Sequence, residues 1–485
     1  MKVLTVKEMR SLEKKAIDNG VNELQLMRKA GFKLVQDFMN RVKPGYDLAI
    51  TIIAGVGNNG GDALVMAIEL KQLGYKPKIF VVGDVKQASE AFLHYFDLAG
   101  KVDIINSSEE VNSIQETIFA SDYIIDGLFG IGLSKEITGF RKELIEFVNE
   151  SDTNVYSIDI PAGINPDNGL VMGIAIKADN TGIIGNYKIG NLLNEAMDYH
   201  GETEYLNIGL TGDNAIPREI VRLEDYNFES KKRLHTTNKY SCGLGLFIGG
   251  NYSMMGSIQM SAYAGLRSGL GIVKVVSNVI DSNFTQFYPE ILIMNNSGKD
   301  LLPLLGKAKS CVYGPGIEAN SNHKLLLDYL LNSDIPLVLD ATGLEHIELK
   351  EYKNKNIVLT PHLGELSKLL DVSSKEIQKD PLKHLKKLTD LGFTVLLKGS
   401  CNIIASKSEV VFIQVKNTGL ATAGSGDILS GILAANISKE EWMDSIIKSV
   451  YIHRTAANFA SYDFGEVSMT ASDILNNIHK VYRRN

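Results

Sequence analysis

Short apolar segments rich in β-branched residues alternate with longer amphipathic segments along the whole chain. Residues 47–54 form an apolar run, and residues 63–73 have the composition of a helix. This alternation of strand and helix patterns predicts a parallel sheet wrapped by helices. In the first half, the further predicted strands are 78–82, 123–126 and 155–160, and the further predicted helices are 87–98 and 140–149.

The second half of the chain repeats the same alternation. Between the halves, residues 211–217 are rich in turn-forming side chains and residues 229–233 form a charged run. We therefore predict two α/β domains, 1–212 and 226–485, joined by a linker at 213–225. In the second domain the predicted strands are 244–248, 272–276, 336–339, 357–359 and 394–397, and helices begin at Gly256, Gly364 and Gly426.

The composition is typical of a soluble globular protein and limits the classes of partner. Of the 485 residues, 44% are hydrophobic and 22% are charged. Mean hydropathy is −0.01, and the net charge of −7 provides no general footprint for nucleic acid. The three cysteines, Cys242, Cys311 and Cys401, lack the paired spacing of a zinc site or a disulfide framework. We expect a cytoplasmic protein that binds neither nucleic acid nor membranes.

Two glycine-rich loops that end in aspartate are the main chemical signals. Residues 55–62 read Gly-Val-Gly-Asn-Asn-Gly-Gly-Asp, and residues 422–427 read Thr-Ala-Gly-Ser-Gly-Asp. Glycine lets backbone N–H groups close around an anion, and a following helix adds the positive end of its dipole. Each loop therefore predicts a phosphate-binding site, and together they indicate two active sites on one chain.

Three polar motifs of the first half lie at the ends of predicted strands. They are Asn-Asn-Gly-Gly-Asp at 58–62, which follows a strand, and Asp-Gly-Leu-Phe-Gly at 126–130 and Asp-Ile-Pro-Ala-Gly at 159–163, which begin within the last residues of theirs. Because ligands of doubly wound sheets collect at the carboxyl ends of strands, these side chains are predicted to share one crevice. The crevice would suit a ribose, a cation or a proton transfer. Alternatively, each aspartate taken alone caps a helix or a turn.

In this order the three motifs resemble the NAD(P)H-hydrate epimerase family, over roughly residues 1–210. The resemblance implies a Rossmann-like three-layer sandwich, a potassium ion held by Asn59, Asp126 and the carbonyl of Ala162, and contact of Asp159 with the reacting nucleotide. Asp159 is our candidate for the acid or base. The implied substrate-binding residues are Asn58, Asn59, Gly60, Gly61, Asp62, Gly130, Ile131, Gly132, Leu133, Ser134, Lys135, Glu136 and Asp159.

The first half departs from that family at several positions, including Ala63, where glycine is usual, and residues 27–31, where the usual acidic residue is replaced. Ala162 stands where serine is usual, and Lys188-Ile-Gly190 stands where Lys-Pro-Gly is common.

The second half carries a denser set of motifs. They include Gly-Pro-Gly at 314–316, Thr-Pro-His-Leu-Gly-Glu at 360–365, Leu-Lys-Gly at 397–399 and the loop that ends at Asp427. Backbone amides at a helix start stabilise charge on a transferring phosphoryl group, and the adjacent Asp427 can accept a hydroxyl proton. Alternatively, Asp427 only stabilises the helix N-terminus.

Taken together these motifs resemble the ADP- or ATP-dependent NAD(P)H-hydrate dehydratase family, over roughly residues 226–485. The resemblance implies a ribokinase-like three-layer sandwich with Asp427 as the catalytic base. Ser257 stands where the family usually has alanine, and Arg454 follows His453 where glycine is common. The implied substrate contacts are Ser257, Gly316, His362, Gly364, Glu365 and Asp427, and the implied ADP contacts are Lys398, Gly399, Ser400, Cys401, Asn402, Thr422, Ala423, Gly424, Ser425 and Gly426.

The two resemblances imply a bifunctional repair enzyme, because epimerase followed by dehydratase is a fused arrangement known in bacteria. Its substrates would be hydrated NADH and NADPH. The first domain would interconvert the R and S epimers, and the second would dehydrate the S epimer at the expense of ADP, giving AMP and phosphate. Magnesium and potassium are the implied ions, and we expect a homo-oligomer.

Two alternatives remain open at the level of sequence. The Asp427 loop would equally serve a ribokinase-like kinase for a small alcohol such as a vitamin precursor. The first domain would then only bind a nucleotide or a protein partner, without catalysis of its own.

Overall fold

The computed structural model of the chain describes residues 1–42, 47–210, 216–230, 232–277, 287–295, 298–318 and 324–483. The chain divides into two compact units, Met1–Ile220 and Val221–Asn485. This division falls inside the predicted linker, of which residues 213–215 lie outside the described residues, as do 211–212 and 231 of the neighbouring turn and charged segments. Both units alternate strands with helices around a mostly parallel sheet, which confirms the predicted fold class. None of the described helices is long and apolar enough to cross a membrane.

The first unit is built on a parallel sheet with helices on both faces. Its strands are β1 (Val3–Leu4), β2 (Ile50–Gly55), β3 (Lys78–Val82), β4 (Asp103–Ile105), β5 (Tyr123–Gly127), β6 (Asn154–Ile158), β7 (Asn180–Ile184), β8 (Tyr187–Lys188), β9 (Glu202–Leu206) and β10 (Arg218–Ile220). Its helices are α1 (Val6–Asp18), α2 (Glu23–Arg41), α3 (Asn58–Gln72), α4 (Glu90–Ala99), α5 (Ser108–Phe119), α6 (Phe140–Glu150) and α7 (Ala196–Tyr199).

The strand order explains where a ligand can bind in this unit. The main sheet runs β4-β3-β2-β5-β6-β7-β9, with every neighbouring pair parallel. Its first six strands follow the doubly wound order of a Rossmann fold, whose topological switch point lies between β2 and β5. The first glycine-rich segment follows β2, and the segment that contains Gly130 follows β5.

Alternating residues of the strands divide the core into two layers. Ile52 packs on one face in a cluster with α2, α3 and α4, whereas Ile53 packs on the other face with α5 and α6. Because successive side chains of a strand point to opposite faces, a strand that is apolar throughout must be covered on both sides. The first unit is therefore a three-layer sandwich.

The start of α3 differs from the sequence prediction. The helix was expected to begin at Ala63 after a loop, but it begins at Asn58, so Asn58–Gly61 form its first turn. Glycine weakens a helix on its own, and here close packing compensates for that cost. A Cβ added at Gly60 would lie 1.7 Å from the carbonyl oxygen of Gly55, so only glycine fits there.

The second unit contains a larger sheet of the same class. Its strands are β11 (Leu244–Ile248), β12 (Ile272–Ser277), β13 (Leu292–Asn295), β14 (Ala308–Tyr313), β15 (Leu337–Leu339), β16 (Ile357–Leu359), β17 (Thr394–Leu397), β18 (Cys401–Ala405) and β19 (Val410–Gln414). Its helices are α8 (Met255–Arg267), α9 (Gly298–Leu305), α10 (Lys324–Leu331), α11 (Leu363–Leu370), α12 (Ser374–Lys379), α13 (Pro381–Thr389), α14 (Ser425–Asn436), α15 (Trp442–Phe464) and α16 (Ala471–Arg483).

The sheet of the second unit runs β19-β18-β17-β16-β15-β14-β11-β12-β13. The pairs from β13 to β17 are parallel, but β17, β18 and β19 pair antiparallel, which the simple alternation of strands and helices did not predict. Helices α8, α14, α15 and α16 pack against one another, and α13 packs on β17. The three predicted helix starts lie within one residue of the observed starts of α8, α11 and α14.

Candidate functional site

A cavity of about 800 Å³ lies at the switch point of the first unit. It is bordered by the residues that follow β2 and β5 and by one face of α1. Eight of the predicted substrate-binding residues line it, namely Asn58, Asn59, Asp62, Gly130, Ile131, Gly132, Leu133 and Asp159. The structure therefore brings the three predicted polar segments to one crevice.

The start of α3 presents backbone donors to this cavity. Gly57 is the N-cap residue and lacks a side chain that could bond the first-turn amides. The first N–H groups of a helix have no partner within the helix, and the helix dipole adds positive potential at this end. A phosphate placed against Gly57 and Asn58 would meet both effects, because both residues line the cavity.

Asp159 and Lys188 form a buried ion pair on the cavity wall. The Lys188 ammonium contacts Oδ1 of Asp159 and donates to the carbonyl oxygen of Ile184 at 3.0 Å. The same Oδ1 accepts the amide N–H of Ile184 at 3.0 Å, and Asn191 donates to the Asp159 carbonyl at 3.0 Å. Asp159 also has a φ of 68°, a left-handed conformation that is strained for a residue other than glycine. The surrounding structure thus holds this carboxylate in one fixed position.

The charges of Asp159 and Lys188 act on two further carboxyl groups, those of Asp62 and Glu13. Removal of water from around Asp62 raises the pKa of its carboxyl well above the usual range, and the charges of Asp159 and Glu13 raise it further. Burial likewise raises the pKa of Glu13, and the Lys188 charge opposes that change. The cavity therefore combines acids that keep a proton more readily than usual with a carboxylate held by a lysine, an arrangement suited to proton transfer.

Asp126 lies beneath the cavity and has the features of a cation ligand. It is fully buried, and its carboxylate accepts hydrogen bonds from Ser157 Oγ at 2.8 Å, Ala162 N at 2.9 Å and Leu128 N at 3.1 Å. Burial raises the pKa of Asp126 to about 6, although these hydrogen bonds lower it. Within the described residues, no ion pair joins a basic side chain to Asp126. A buried, unpaired carboxylate fits a hard monovalent cation.

The other two predicted potassium ligands, Asn59 and Ala162, also carry oxygen atoms. Asn59 donates through Nδ2 to the Phe129 carbonyl at 3.1 Å, and its Oδ1 would lie 3.1 Å from a Cβ at Gly130. Ala162 donates its amide to Asp126, and its carbonyl accepts from Ile176 at 2.8 Å. Oxygen donors are thus present, and their use by potassium stays a prediction.

Five of the predicted epimerase residues do not line the cavity, namely Gly60, Gly61, Ser134, Lys135 and Glu136. Gly60 and Gly61 instead let α3 approach its neighbours. The sequence analysis missed the contribution of α1, which lines the cavity through Arg10, Glu13 and Lys14. A capping box at Thr5 and Glu8 marks the start of this helix in the sequence, but its position over the crevice depends on tertiary packing.

A separate cavity of about 640 Å³ lies in the second unit. It borders the segments after β17 and β19, the start of α14 and one face of α15. The predicted residues that line it are His362, Lys398, Gly399, Ser400, Asn402, Thr422, Ser425 and Gly426. Cys401, Ala423 and Gly424 do not, because the Cys401 side chain is buried within β18 and Gly424, at a φ of 93°, forms the turn into α14.

Asp427 lies in the first turn of α14 and contacts a partner on α8. Ser257 Oγ donates a hydrogen bond to Oδ2 of Asp427. Burial raises the pKa of Asp427 to about 6, and this hydrogen bond acts in the opposite direction. A carboxyl with such a pKa is ionised at neutral pH and remains basic enough to accept a proton.

Lys398 lines the cavity and forms ion pairs with two carboxylates. Its ammonium lies 2.8 Å from Oδ1 of Asp340 and 3.7 Å from Oε2 of Glu365. The charge of Asp427 also acts on Lys398, and a Cβ at Gly426 would lie 3.4 Å from the ammonium. Burial lowers the pKa of Lys398, but these carboxylates outweigh it and raise the pKa above its usual value. Lys398 therefore carries its positive charge beside the N-terminus of α14.

His362 and Glu365 form the start of α11. His362 Nδ1 accepts from the amides of Gly364 at 3.0 Å and Glu365 at 3.2 Å, while Glu365 accepts from the His362 amide at 2.8 Å. This reciprocal pair is a capping box, so His362 caps the N-terminus of α11. Its side chain also lines the cavity.

The remaining predicted substrate residues do not line this cavity. Ser257, Gly316, Gly364, Glu365 and Asp427 are absent from its wall. Ser257 nevertheless bonds Asp427, Glu365 pairs with Lys398, and the charge of Asp427 acts on Lys398. The sequence analysis did not assign Asn417, Thr418, His453 or Arg454 to the nucleotide site, although all four line the cavity.

The fold and these two cavities define a two-unit α/β protein with a separate nucleotide-type site in each unit. A family model described as YjeF-related protein N-terminus matches residues 23–190, and one described as NAD(P)H-hydrate dehydratase matches residues 246–480. The chain is 32% identical over 479 residues to the bifunctional NAD(P)H-hydrate repair enzyme Nnr of Coxiella burnetii, covering 96% of each chain. This chain belongs to the family of bifunctional NAD(P)H-hydrate repair enzymes.

A second relative of the same name agrees with that assignment. The enzyme of the same name from Escherichia coli strain K12 is 28% identical over 442 residues, which cover 89% of this chain and 84% of that one. Among solved structures, the ADP/ATP-dependent NAD(P)H-hydrate dehydratase of Bacillus subtilis, co-crystallised with ATP and Mg²⁺, is 23% identical with a TM-score of 0.47, covering 52% of this chain and 93% of that one. The family membership confirms the resemblance predicted for both halves and favours it over the small-alcohol kinase alternative.

Proposed function

We propose that the chain restores hydrated NADH and NADPH, with epimerisation in the first unit and ADP-dependent dehydration in the second. The observation that carries this proposal is the Ser257–Asp427 hydrogen bond at the start of α14, where the charge of Asp427 acts on Lys398, a residue of the cavity wall. This arrangement combines a base with a pKa of about 6, a cation and helix amides, the parts that phosphoryl transfer to a hydroxyl requires.

Asp427 acts first in the proposed dehydration. It accepts the proton of the hydroxyl on the hydrated nicotinamide ring, and the oxygen attacks the terminal phosphate of ADP. The bond from that phosphorus to the bridging oxygen breaks, and AMP leaves. The ring nitrogen then expels phosphate, and loss of a proton from the adjacent ring carbon restores the dihydropyridine.

The other residues of the second site bind and orient the nucleotide. The Lys398 ammonium and the first-turn amides of α14 stabilise negative charge on the phosphates. Magnesium bound together with ADP would neutralise phosphate charge. The described residues contain no group of three or more His, Cys, Asp and Glu side chains able to hold a metal, so the phosphates would supply most of its ligands.

Asp159 is the proposed acid and base of the epimerase site. It accepts the proton of the ring hydroxyl as the hydrated carbon becomes an aldehyde and the broken carbon–nitrogen bond leaves its electron pair on the nitrogen. The nitrogen then adds to the opposite face of the aldehyde, and Asp159 returns the proton to the oxygen. The contact with Lys188 keeps Asp159 in place, and the amides at Gly57 and Asn58 bind a phosphate of the nucleotide. Potassium, held by Asn59, Asp126 and the Ala162 carbonyl, would balance the buried Asp126 charge.

The proposal is tested with the purified S epimer of hydrated NADH, ADP and magnesium. We expect NADH, AMP and phosphate to form in equal amounts, and incubation of the R epimer without ADP should yield the S epimer. A stable phosphorylated product without NADH would contradict the dehydratase assignment, and an unchanged R epimer would contradict the epimerase assignment.

A further inference from the structure

Arg141 brings a positive charge to one end of the cavity in the first unit. It lies in the first turn of α6 and lines that cavity, as do Val56 and Val82. A Cβ built at Gly83 would lie 3.5 Å from Nη2 of Arg141 and 3.5 Å from Cγ1 of Val56. The guanidinium is therefore located where β2 and β3 end.

The charge of Arg141 has no acidic partner within the part of the chain that the structure describes. Lys142, the next residue, pairs with Glu146 at 3.6 Å, but no such ion pair includes Arg141. Its guanidinium lies 4.6 Å from the centre of the Phe140 ring, and Arg141 is half-buried. The first turn of a helix already carries positive potential, so a cation there is stabilised by an anion nearby. A partly desolvated, unpaired guanidinium beside a cavity favours an anionic ligand.

The strand order places Arg141 and Asp159 on opposite sides of the start of α3. The sheet runs β3-β2-β5-β6, with Gly57 and Asn58 after β2 and Asp159 after β6. Neighbouring strands are about 4.8 Å apart, so the ends of β3 and β6 are separated by about 14 Å with the end of β2 between them. A dinucleotide with its hydrated ring at Asp159 and a phosphate at Gly57 and Asn58 would therefore extend its adenosine toward the end of β3.

The end of β3 presents an arginine to that adenosine. In Rossmann-type sites, a carboxylate roughly 20 residues after the glycine-rich turn binds a free ribose 2′-hydroxyl, whereas an arginine nearby accommodates a 2′-phosphate. Asp84 holds the corresponding position directly after Gly83, but it is exposed and does not line the cavity. It instead caps the next turn by accepting from the Lys86 amide at 3.0 Å. The wall at this point thus suits a phosphate.

The recorded contacts of other basic wall residues are with different parts of the cavity. Arg10, on α1, donates through Nη2 to the Ile131 carbonyl at 3.2 Å, in the segment after β5. Lys188 is paired with Asp159. Neither contact involves β2 or β3, whereas the Arg141 guanidinium lies at the ends of these strands.

We propose that Arg141 binds the 2′-phosphate of hydrated NADPH and makes the epimerase site selective for the phosphorylated dinucleotide. This inference rests on the proposed function of the first cavity and adds a preference between its two substrates. The planar guanidinium presents paired N–H donors that match the oxygens of a phosphate. Hydrated NADH has a hydroxyl at this position and would leave the Arg141 charge unpaired.

The test is epimerisation by the full chain without ADP, with the R epimers of hydrated NADPH and hydrated NADH in separate reactions. The wild type should have the higher kcat/KM with hydrated NADPH. Arg141→Met removes the charge and keeps a long apolar stem. We expect it to lower kcat/KM for hydrated NADPH by about 10- to 100-fold, mainly through KM, and to change that for hydrated NADH by less than about threefold. Arg141→Lys, which keeps the charge without the paired donors, should retain part of the preference.

Lys142→Met is the matched control, because Lys142 is the adjacent basic residue of α6 and does not line the cavity. It should epimerise both hydrates as the wild type does. An equal fall with both hydrates in the two Arg141 variants would overturn the inference, since it would assign Arg141 to a group that both dinucleotides share. Unchanged kcat/KM for hydrated NADPH in Arg141→Met would also overturn it. If the wild type interconverts the epimers of neither hydrate, the proposed epimerase function fails and the inference fails with it.

Discussion

Replacement of Ser257 by alanine should move the pH dependence of dehydration. The Ser257 hydroxyl donates to the carboxylate of Asp427, and this hydrogen bond holds the pKa of Asp427 below the value that burial alone would give. A hydrogen bond to a charged group contributes about 1.5 kcal/mol or more, and one pH unit corresponds to about 1.4 kcal/mol. Its loss should therefore raise the pKa of Asp427 by about one pH unit, from about 6 to about 7.

The direction of the effect follows from the role of Asp427 as a base. The base must be ionised, so kcat/KM falls as pH drops through its pKa. In the wild type the acid limb should lie near pH 6, and in Ser257→Ala it should lie near pH 7, with activity retained above both values.

The assay is the initial rate of NADH formation from the S epimer at low substrate concentration. It is measured from about pH 5 to about pH 9, a range that includes both expected pKa values of Asp427. Ser261→Ala is the control, because Ser261 lies one turn further along α8 and bonds Ser430 at 2.8 Å. It should leave the acid limb in place. An acid limb that stays at the same pH in Ser257→Ala, or moves to lower pH, would refute the assignment of Asp427 as the base.

The remaining predictions concern both units. Asp427→Asn should lower dehydration by about 10²- to 10⁴-fold and leave epimerisation intact, as measured by separate assays with each epimer. Lys188→Met should slow epimerisation by about 10²-fold or more without changing dehydration, because it leaves Asp159 without its buried partner; equal rates would count against the pair. Gly60→Ala should lower the free energy of unfolding by about 3 kcal/mol or more, whereas Gly57→Ala, where a Cβ has open space, should change it by less than about 1 kcal/mol in denaturant titrations. Potassium chloride should raise the melting temperature above that in choline chloride, and Asp126→Asn should remove the difference; a persistent difference would rule out Asp126 as a ligand.

Local sequence patterns predicted the strands well where burial and composition agree. The boundaries of Lys78–Val82, Leu244–Ile248, Ile357–Leu359 and Thr394–Leu397 match the structure. These strands are runs of β-branched and leucine residues bounded by polar or turn residues, so the local pattern and the tertiary environment favour the same structure.

The start of α3 shows why other boundaries were not predictable. Asn58–Gly61 have low helix propensity, and the sequence pattern favours a loop. They are helical because the glycines allow contacts that larger residues would prevent, such as that between Gly60 and Gly55. Only the packed sheet reveals this compensation.

The candidate sites likewise contain some residues that local sequence patterns predicted and others that they did not. Asp159 and Asp427 were predicted because each follows a strand or a glycine loop in the chain. Lys188 and Arg454 were noted in the sequence only as departures from a family pattern. Their contacts with Asp159 and Glu224 join residues distant in sequence, which local patterns do not reveal.

The most direct test of the central claim is the extent of NADH recovery from a mixture of both hydrate epimers with ADP, magnesium and potassium. The wild type should restore all of the NADH, as followed by its near-ultraviolet absorbance. Asp159→Asn should convert the S epimer at the wild-type rate and then leave the R epimer unconverted over the time in which the wild type consumes it. Failure of the wild type to recover NADH even from the S epimer would contradict the account.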